Sequence, residues 1–300
     1  MRKVSFVFFL TILSSIIFVS CDDDSDNDSP TTSNLQLDID GLTNLGSDFV
    51  YEGWVMVDGT PVTTGTFRVN DAGELSSTSF NVDAATLSNA TKFILTIEPA
   101  NDPDPAPSDQ KLIAGDFSGE TATISTTTAP AIGDFSMAAG SLFLRTPTDE
   151  SEGNNDNDQN GVWFGNPGMP PTAGLTLPEL PEGWAYEGWV IGDAGPISTG
   201  TFTSFDMRDS GNPFSGTENN AGPPVPGEDF FNNAPTGETF PLDVRGRKVV
   251  ISVEPVPDNS PAPFLLKPLE ITLADDAAPA PTQFSFERNL TSFPTGTVTR

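Results

Sequence analysis

One pattern, written twice, constrains this chain more than anything else in it. Y-E-G-W-V-M-V-D-G-T-P-V-T-T-G-T-F at residues 51–67 returns as Y-E-G-W-V-I-G-D-A-G-P-I-S-T-G-T-F at residues 186–202. A second block follows each copy. F-I-L-T-I-E-P-A-N-D-P-D-P-A-P-S-D-Q-K at 93–111 aligns without a gap with V-V-I-S-V-E-P-V-P-D-N-S-P-A-P-F-L-L-K at 249–267. Two blocks recurring in the same order mark a domain duplication, at a period too long for a solenoid. The repeat motif is carried by Tyr51, Glu52, Trp54, Glu98 and Pro99, matched by Tyr186, Glu187, Trp189, Glu254 and Pro255.

Within each copy the residues read as short strands. An approach strand, Leu35 to Ile39 or Ala173 to Leu177, leads to the Tyr-Glu-Gly-Trp strand. A turn at Asp58-Gly59 or Asp193-Ala194-Gly195 then leads to a Thr-Gly-Thr-Phe strand. The β-branched runs ending at Glu98 and Glu254 stop there because the following proline lacks a ladder donor. Further strands are expected at 112–117, 121–125, 141–145, 269–273 and 283–286, and no segment beyond the first twenty residues has helical spacing. With 28 Pro and 27 Gly among 300 residues, short strands and turns are the expected build. The fold class expected is all-β: two tandem immunoglobulin-like β-sandwich domains at 34–168 and 169–300. The acidic run at 149–160 reads as the tip of a hairpin pairing 141–145 with 161–164, with an interdomain linker as the alternative. The Gly/Pro/Asn-rich segment 204–240, present in the second copy alone, reads as a loop insertion.

Acidic residues number 42 and basic residues 13, with no His, for a formal charge of −29. Such a surface repels nucleic acid, so no nucleic-acid partner is expected. The absence of His removes Ser-His-Asp and Cys-His catalysis and most zinc sites. Cys21 is the one cysteine, so no disulfide forms within the chain.

The N-terminus, M-R-K-V-S-F-V-F-F-L-T-I-L-S-S-I-I-F-V-S-C, has a basic start, an apolar run and a small residue before Cys21. It reads as a signal peptide over 1–20. Ser20-Cys21 resembles the lipobox of bacterial lipoproteins, which implies lipidation of Cys21 and a membrane partner through that lipid. The D-D-D-S-D run opening the flexible tether at 21–33 resembles the acidic tethers of outer-membrane lipoproteins that face the cell surface.

Taken together, Y-E-x-W, then G-x-P-V/I-x-T-G-T-F, then an apolar strand ending E-P with P-A-P beyond, resemble a known module. It is the extracytoplasmic C-terminal domain of anti-sigma-K factors, the RskA type, across about 35–148 and again 173–273. The resemblance implies an immunoglobulin-like fold and a shared ancestry. It does not imply sigma-factor binding by this chain, because no cytoplasmic segment precedes the signal.

What chemistry is left is carboxylate chemistry. Glu52, Glu98, Glu187 and Glu254 recur between copies, which points to a fold requirement: a Glu before Pro at a strand end can accept hydrogens from turn amides. A glycosidase-like carboxylate pair is the enzymatic alternative. D-N-D-Q-N-G at 156–161 matches the start of a calcium loop, with Asp156, Asp158 and Asn160 as the candidate Ca2+ ligands and no Glu at the usual twelfth position. Trp54 and Trp189 read as core, against a sugar-stacking alternative for the tryptophans. The expected function is a noncatalytic envelope protein, a binding or sensory module at the cell surface with a protein or glycan partner. The alternatives are an accessory sensor to a separate transmembrane anti-sigma factor and a glycan-active enzyme.

Overall fold

The computed structural model describes residues 31–150, 156–218, 222–258 and 260–300. The signal expected at 1–20, Cys21 and most of the tether lie outside the described residues. No helix among the described residues is long and apolar enough to cross a membrane.

The repeated pattern specifies a bulged hairpin. Phe49–Val57 pairs antiparallel with Thr60–Phe67, and Trp184–Ile191 with Pro196–Phe202. Asp58 and Gly59 have φ of 49° and 79°, the backbone that a primed two-residue hairpin turn needs. The register slips at the same place in both copies. Gly53 faces Gly65 while Trp54 faces Thr63, and Gly188 faces Gly200 while Trp189 faces Ser198. The extra residue, Thr64 or Thr199, makes a β-bulge. A Cβ on Gly53 would sit 2.5 Å from Thr64 Oγ1, and one on Gly188 only 2.4 Å from Thr199 Oγ1 and 2.2 Å from Phe164 Cε2. Gly65 and Gly200 take φ of 123° and 119°, which side chains rarely adopt. The recurring glycines are therefore what the bulge demands.

The second block supplies the next strands inward. Lys92–Pro99 and Lys248–Pro255 lie along the Tyr-Glu-Gly-Trp strands, followed by Lys111–Ser118 and Leu269–Thr272. Tyr51 and Tyr186 are buried, and each donates its hydroxyl to a carbonyl eight residues upstream, Thr43 O at 2.9 Å and Pro178 O at 2.6 Å. The hairpin expected around the acidic tip is present: Phe143 faces Trp163 and Leu144 faces Val162.

The all-β class holds, in antiparallel sheets throughout the named pairings, but the sheets do not divide between residues 168 and 169. In the first unit, an eight-stranded sheet continues from Lys111–Ser118 through Thr121–Ile124 to Thr295–Thr299, and only then reaches the approach strand Thr32–Asp40 and Ser79–Asp83. The strand that closes the first unit thus comes from the end of the chain. In the second unit the corresponding place is held by Ala139–Leu144, which follows the first copy in sequence. It lies beside the approach strand Leu175–Thr176 on one hand and Phe284–Ser285 on the other. Gly296 faces Ile39 and Gly140 faces Leu175 in the two registers. Each copy therefore donates its last strand to the other. An approach strand exposes unpaired donors and acceptors along an edge, and either closing strand satisfies them. The units share one apolar core that includes Leu35, Tyr51, Phe135, Leu142, Tyr186 and Val298. Phe135 and Phe293, in the segments leading into the two exchanged strands, meet edge-on at 5.2 Å.

Two other expectations change. A six-residue helix, Ala84–Asn89, stands where none was expected, capped by Asp83, whose side chain accepts from Thr86 N. The insertion at 204–240 is not merely a surface loop. Its strand Gly227–Asp229 is buried and pairs with Gly161–Trp163, and Phe230 is fully enclosed.

Candidate functional site

The Glu-Pro strand ends of the two copies hold the same polar relay. Trp54 Nε1 donates to Thr96 Oγ1 at 2.9 Å, Thr96 Oγ1 donates to Glu98 Oε1, and Ser108 N donates to that same oxygen at 2.8 Å. In the second copy Trp189 Nε1 donates to Ser252 Oγ at 2.8 Å, Ser252 Oγ to Glu254 Oε1, and Phe264 N to Glu254 Oε1 at 2.8 Å. Glu98 and Glu254 are buried, and each ties its strand end to the Pro-rich loop that follows. Glu52 and Glu187 accept from Thr63 and Ser198 across the bulged hairpin. The recurring carboxylates serve first as acceptors for buried donors and turn amides, and this explains why they occur in both copies.

From there the copies diverge. Glu52 is half-buried, but Glu187 is only 5% exposed. One carboxylate oxygen from each of Glu187, Glu254 and Asp258 lies within 4.8 Å of the other two. Burial pushes the Glu187 carboxyl up to about 7, the Ser198 bond opposes this, and the charges of Glu254 and Asp258 add to it. Burial likewise raises Glu254 to about 7, against the bonds from Ser252 and Phe264. Glu98 is raised in the same sense and for the same first cause.

The Pro-rich loop of the second copy faces the 41–49 segment of the first across a cleft of about 920 Å³. Leu42, Leu45 and Phe49 of the first copy line one side, and Val256, Phe264 and Leu265 of the second line the other. Asp48, Glu254, Asp258 and Lys267 supply the charged groups. The seam beside it is drawn tight. Gln110 Nε2 donates to Val256 O at 2.5 Å, and a Cβ on Gly183 would lie 2.8 Å from the backbone of Asp109. Val256 is 46% exposed, an open apolar side chain on this cleft.

The acidic tip and the insertion, which differ between the copies, meet one another. Thr148 N and Oγ1 donate to Asp229 Oδ2 at 3.0 and 2.7 Å, Gly216 N donates to Thr148 Oγ1 at 2.5 Å, and Glu150 N donates to Glu218 Oε2 at 2.8 Å. Asp209, Glu228 and Asp229 gather beneath them. Burial lifts Asp209 to about 7 and Glu228 to about 8, the latter further raised by the neighbouring charges of Asp229 and Asp209.

The candidate calcium ligands at the tip differ in burial. Asp158 is buried and accepts from Thr146 N at 2.9 Å, Asn160 is buried, and Asp156 is exposed. Residues 151–155, within the expected tip, lie outside the described residues. The residue that sequence reasoning passed over is Asp258. It aligns with Asp102 in the repeat, but nothing local marks it, because its companions come from two other strands.

In comparisons with protein-family models, curated proteins and solved structures, no match to this chain was found.

Proposed function

We propose that this chain is a noncatalytic binding protein whose ligand seat is the cleft between its two copies. The reading keeps the lipid anchor at Cys21 and the envelope location as proposals drawn from the N-terminal sequence. It takes the resemblance to the RskA-type domain as ancestry of the module. The observation that carries it is the cleft itself: about 920 Å³, lined mainly by aliphatic, prolyl and phenyl groups from both copies, with a few charged groups at its rim. That size and composition suit a small ligand or a short peptide segment.

The chemistry of the walls narrows the class. Trp54, Trp163, Trp184 and Trp189 are at most 4% exposed, so no indole face is open for a sugar to stack on. Phenyl, leucyl and prolyl walls favour an apolar peptide segment over a glycan. The formal charge of −29 and the carboxylates of Asp48 and Asp258 favour a segment carrying basic residues. Catalysis by Glu187 and Glu254 is disfavoured because the two are 5% and 0% exposed, which leaves no face for a glycosidic bond between them.

A photoreactive residue at Val256, inside the cleft, tests this on envelope preparations. The expected result is a specific adduct at Val256 and none at Met207, which is 61% exposed and lies outside the cleft lining. Equal labelling at both positions would reject the cleft as the seat.

A further inference from the structure

We propose that Glu187, Glu254 and Asp258 form a divalent-cation site of the Ca2+ type in the second copy, at the wall of the cleft. The site stands independently of what occupies the cleft.

Three observations carry it. The first is geometric. A Ca2+ ion holds oxygens at about 2.4 Å, so opposite ligands are about 4.8 Å apart. One oxygen from each of the three carboxylates lies within 4.8 Å of the others, so no two of them are further apart than opposite ligands of one such ion. The second is an unmet demand. Oε1 of Glu187 is taken by Ser198, and Oε1 of Glu254 by Ser252 and Phe264. Oε2 of both residues is buried with no hydrogen-bond partner, and the residues are 5% and 0% exposed. Buried carboxylate oxygens need a proton, a donor or a metal ion. The third is charge. Three carboxylates meet one nearby cation, Lys267, whose field acts on Glu254 but which makes no ion pair among the described residues. Lys267 is shared with Glu270, so the three acids hold more negative charge than their surroundings offset once they ionise.

The first copy is a built-in contrast. Its equivalent residues are Glu52, Glu98 and Asp102, yet among the described residues no such three-acid group forms there. Asp102 caps the amide of Asp104 as Asp258 caps that of Ser260, but Glu52 is half-buried where Glu187 is buried. Lys111, aligned with Lys267, is engaged with Ser108 O at 2.7 Å and Asp109 at 3.7 Å. The same scaffold therefore carries the site once. Asp258 is exposed, which leaves the ion one open side for water or for a ligand carbonyl in the cleft.

The test is calorimetry on the full chain with Ca2+ up to about 5 mM, a range that covers weak extracellular sites. Tb3+ emission sensitised by indole gives a second readout, since Trp189 is linked to Glu254 through Ser252. The expected result is one site, Tb3+ emission displaced by Ca2+, and a loss of affinity of about tenfold or more in Asp258→Asn. Asp258 is exposed, so this variant melts like the parent without Ca2+. Glu254→Gln, which keeps the Oε1 acceptor, repeats the test on an inner ligand. No heat and no Tb3+ emission would overturn the proposal, and so would binding unchanged by Asp258→Asn. Loss of binding in Asp156→Asn with Asp258→Asn unaffected would place the ion at the acidic tip and equally overturn it.

Discussion

Deleting Thr295 to Arg300 removes residues that belong by sequence to the second copy, yet the structure requires the first unit to fail. The strand Thr295–Thr299 is paired on both sides, with Thr32–Asp40 and with Thr121–Ile124. Val298 is fully buried, and that side chain alone contributes about 1.5–3 kcal/mol. Each ladder hydrogen bond adds about 0.5–1.5 kcal/mol net. Arg300 donates to the carbonyls of Leu87, Ala90 and Gly119 and lies over the Phe117 ring at 4.4 Å. The combined loss reaches the scale of a whole domain's stability, about 5–15 kcal/mol. It also leaves two strand edges open in the middle of a sheet. Hydrogen exchange followed by mass spectrometry reads the outcome. Peptides covering Thr32–Asp40 and Thr121–Ile124 should lose protection far more than those covering Trp184–Ile191 and Lys248–Pro255. A synthetic peptide of residues 289–300 should restore it. Val298→Ala should give a graded version, about 1–3 kcal/mol by denaturant titration. Unchanged exchange in Thr32–Asp40 after the deletion would refute the exchange of closing strands.

Three further outcomes follow from the same contacts. Thr96→Val and Ser252→Ala each strand a buried indole donor and a buried carboxylate, and each should cost about 1–3 kcal/mol in urea titrations. Gly188→Ala forces a Cβ to 2.2 Å from Phe164, and should destabilise by about 1–3 kcal/mol, read the same way. Asp209 and Glu228 are raised in the folded state to about 7 and about 8. Their stabilising contribution is full below the ordinary carboxylate range and is lost as pH rises through about 7 to 8. The chain should therefore melt higher near pH 5 than near pH 8.5 by calorimetry, and Glu228→Gln should flatten that slope.

Much of the fold was legible because each signal was local. The Glu-Pro strand ends, the bulged hairpin residues and the hairpin under the acidic tip are all set by neighbours within one copy. Val162 and Trp163 pair with Leu144 and Phe143 as their pattern implies. The rest depends on partners far away in sequence. Gly140-Ser141-Leu142 and Gly296-Thr297-Val298 are both short β runs, and nothing in either says which copy it will close. Gly227–Asp229 places two carboxylates at buried positions, the reverse of the apolar alternation that marks a strand, so it passed as loop. Of the carboxylate cluster, Glu187 and Glu254 were visible through the repeat. Asp258 joined them only when folding brought a Pro-rich loop over two strands. The helix Ala84–Asn89 carries an Asp cap but is too short to show a helical period.

The seat of function in the cleft is tested most directly by hydroxyl-radical labelling of the protein in envelope preparations and in purified form. Occupation of the cleft predicts that Leu45, Val256 and Phe264 are protected in the envelope. Met137, Met169 and Met207, exposed by 77%, 97% and 61%, should be labelled equally in both samples. Cleft residues labelled equally in both, with protection at those methionines instead, would contradict the account.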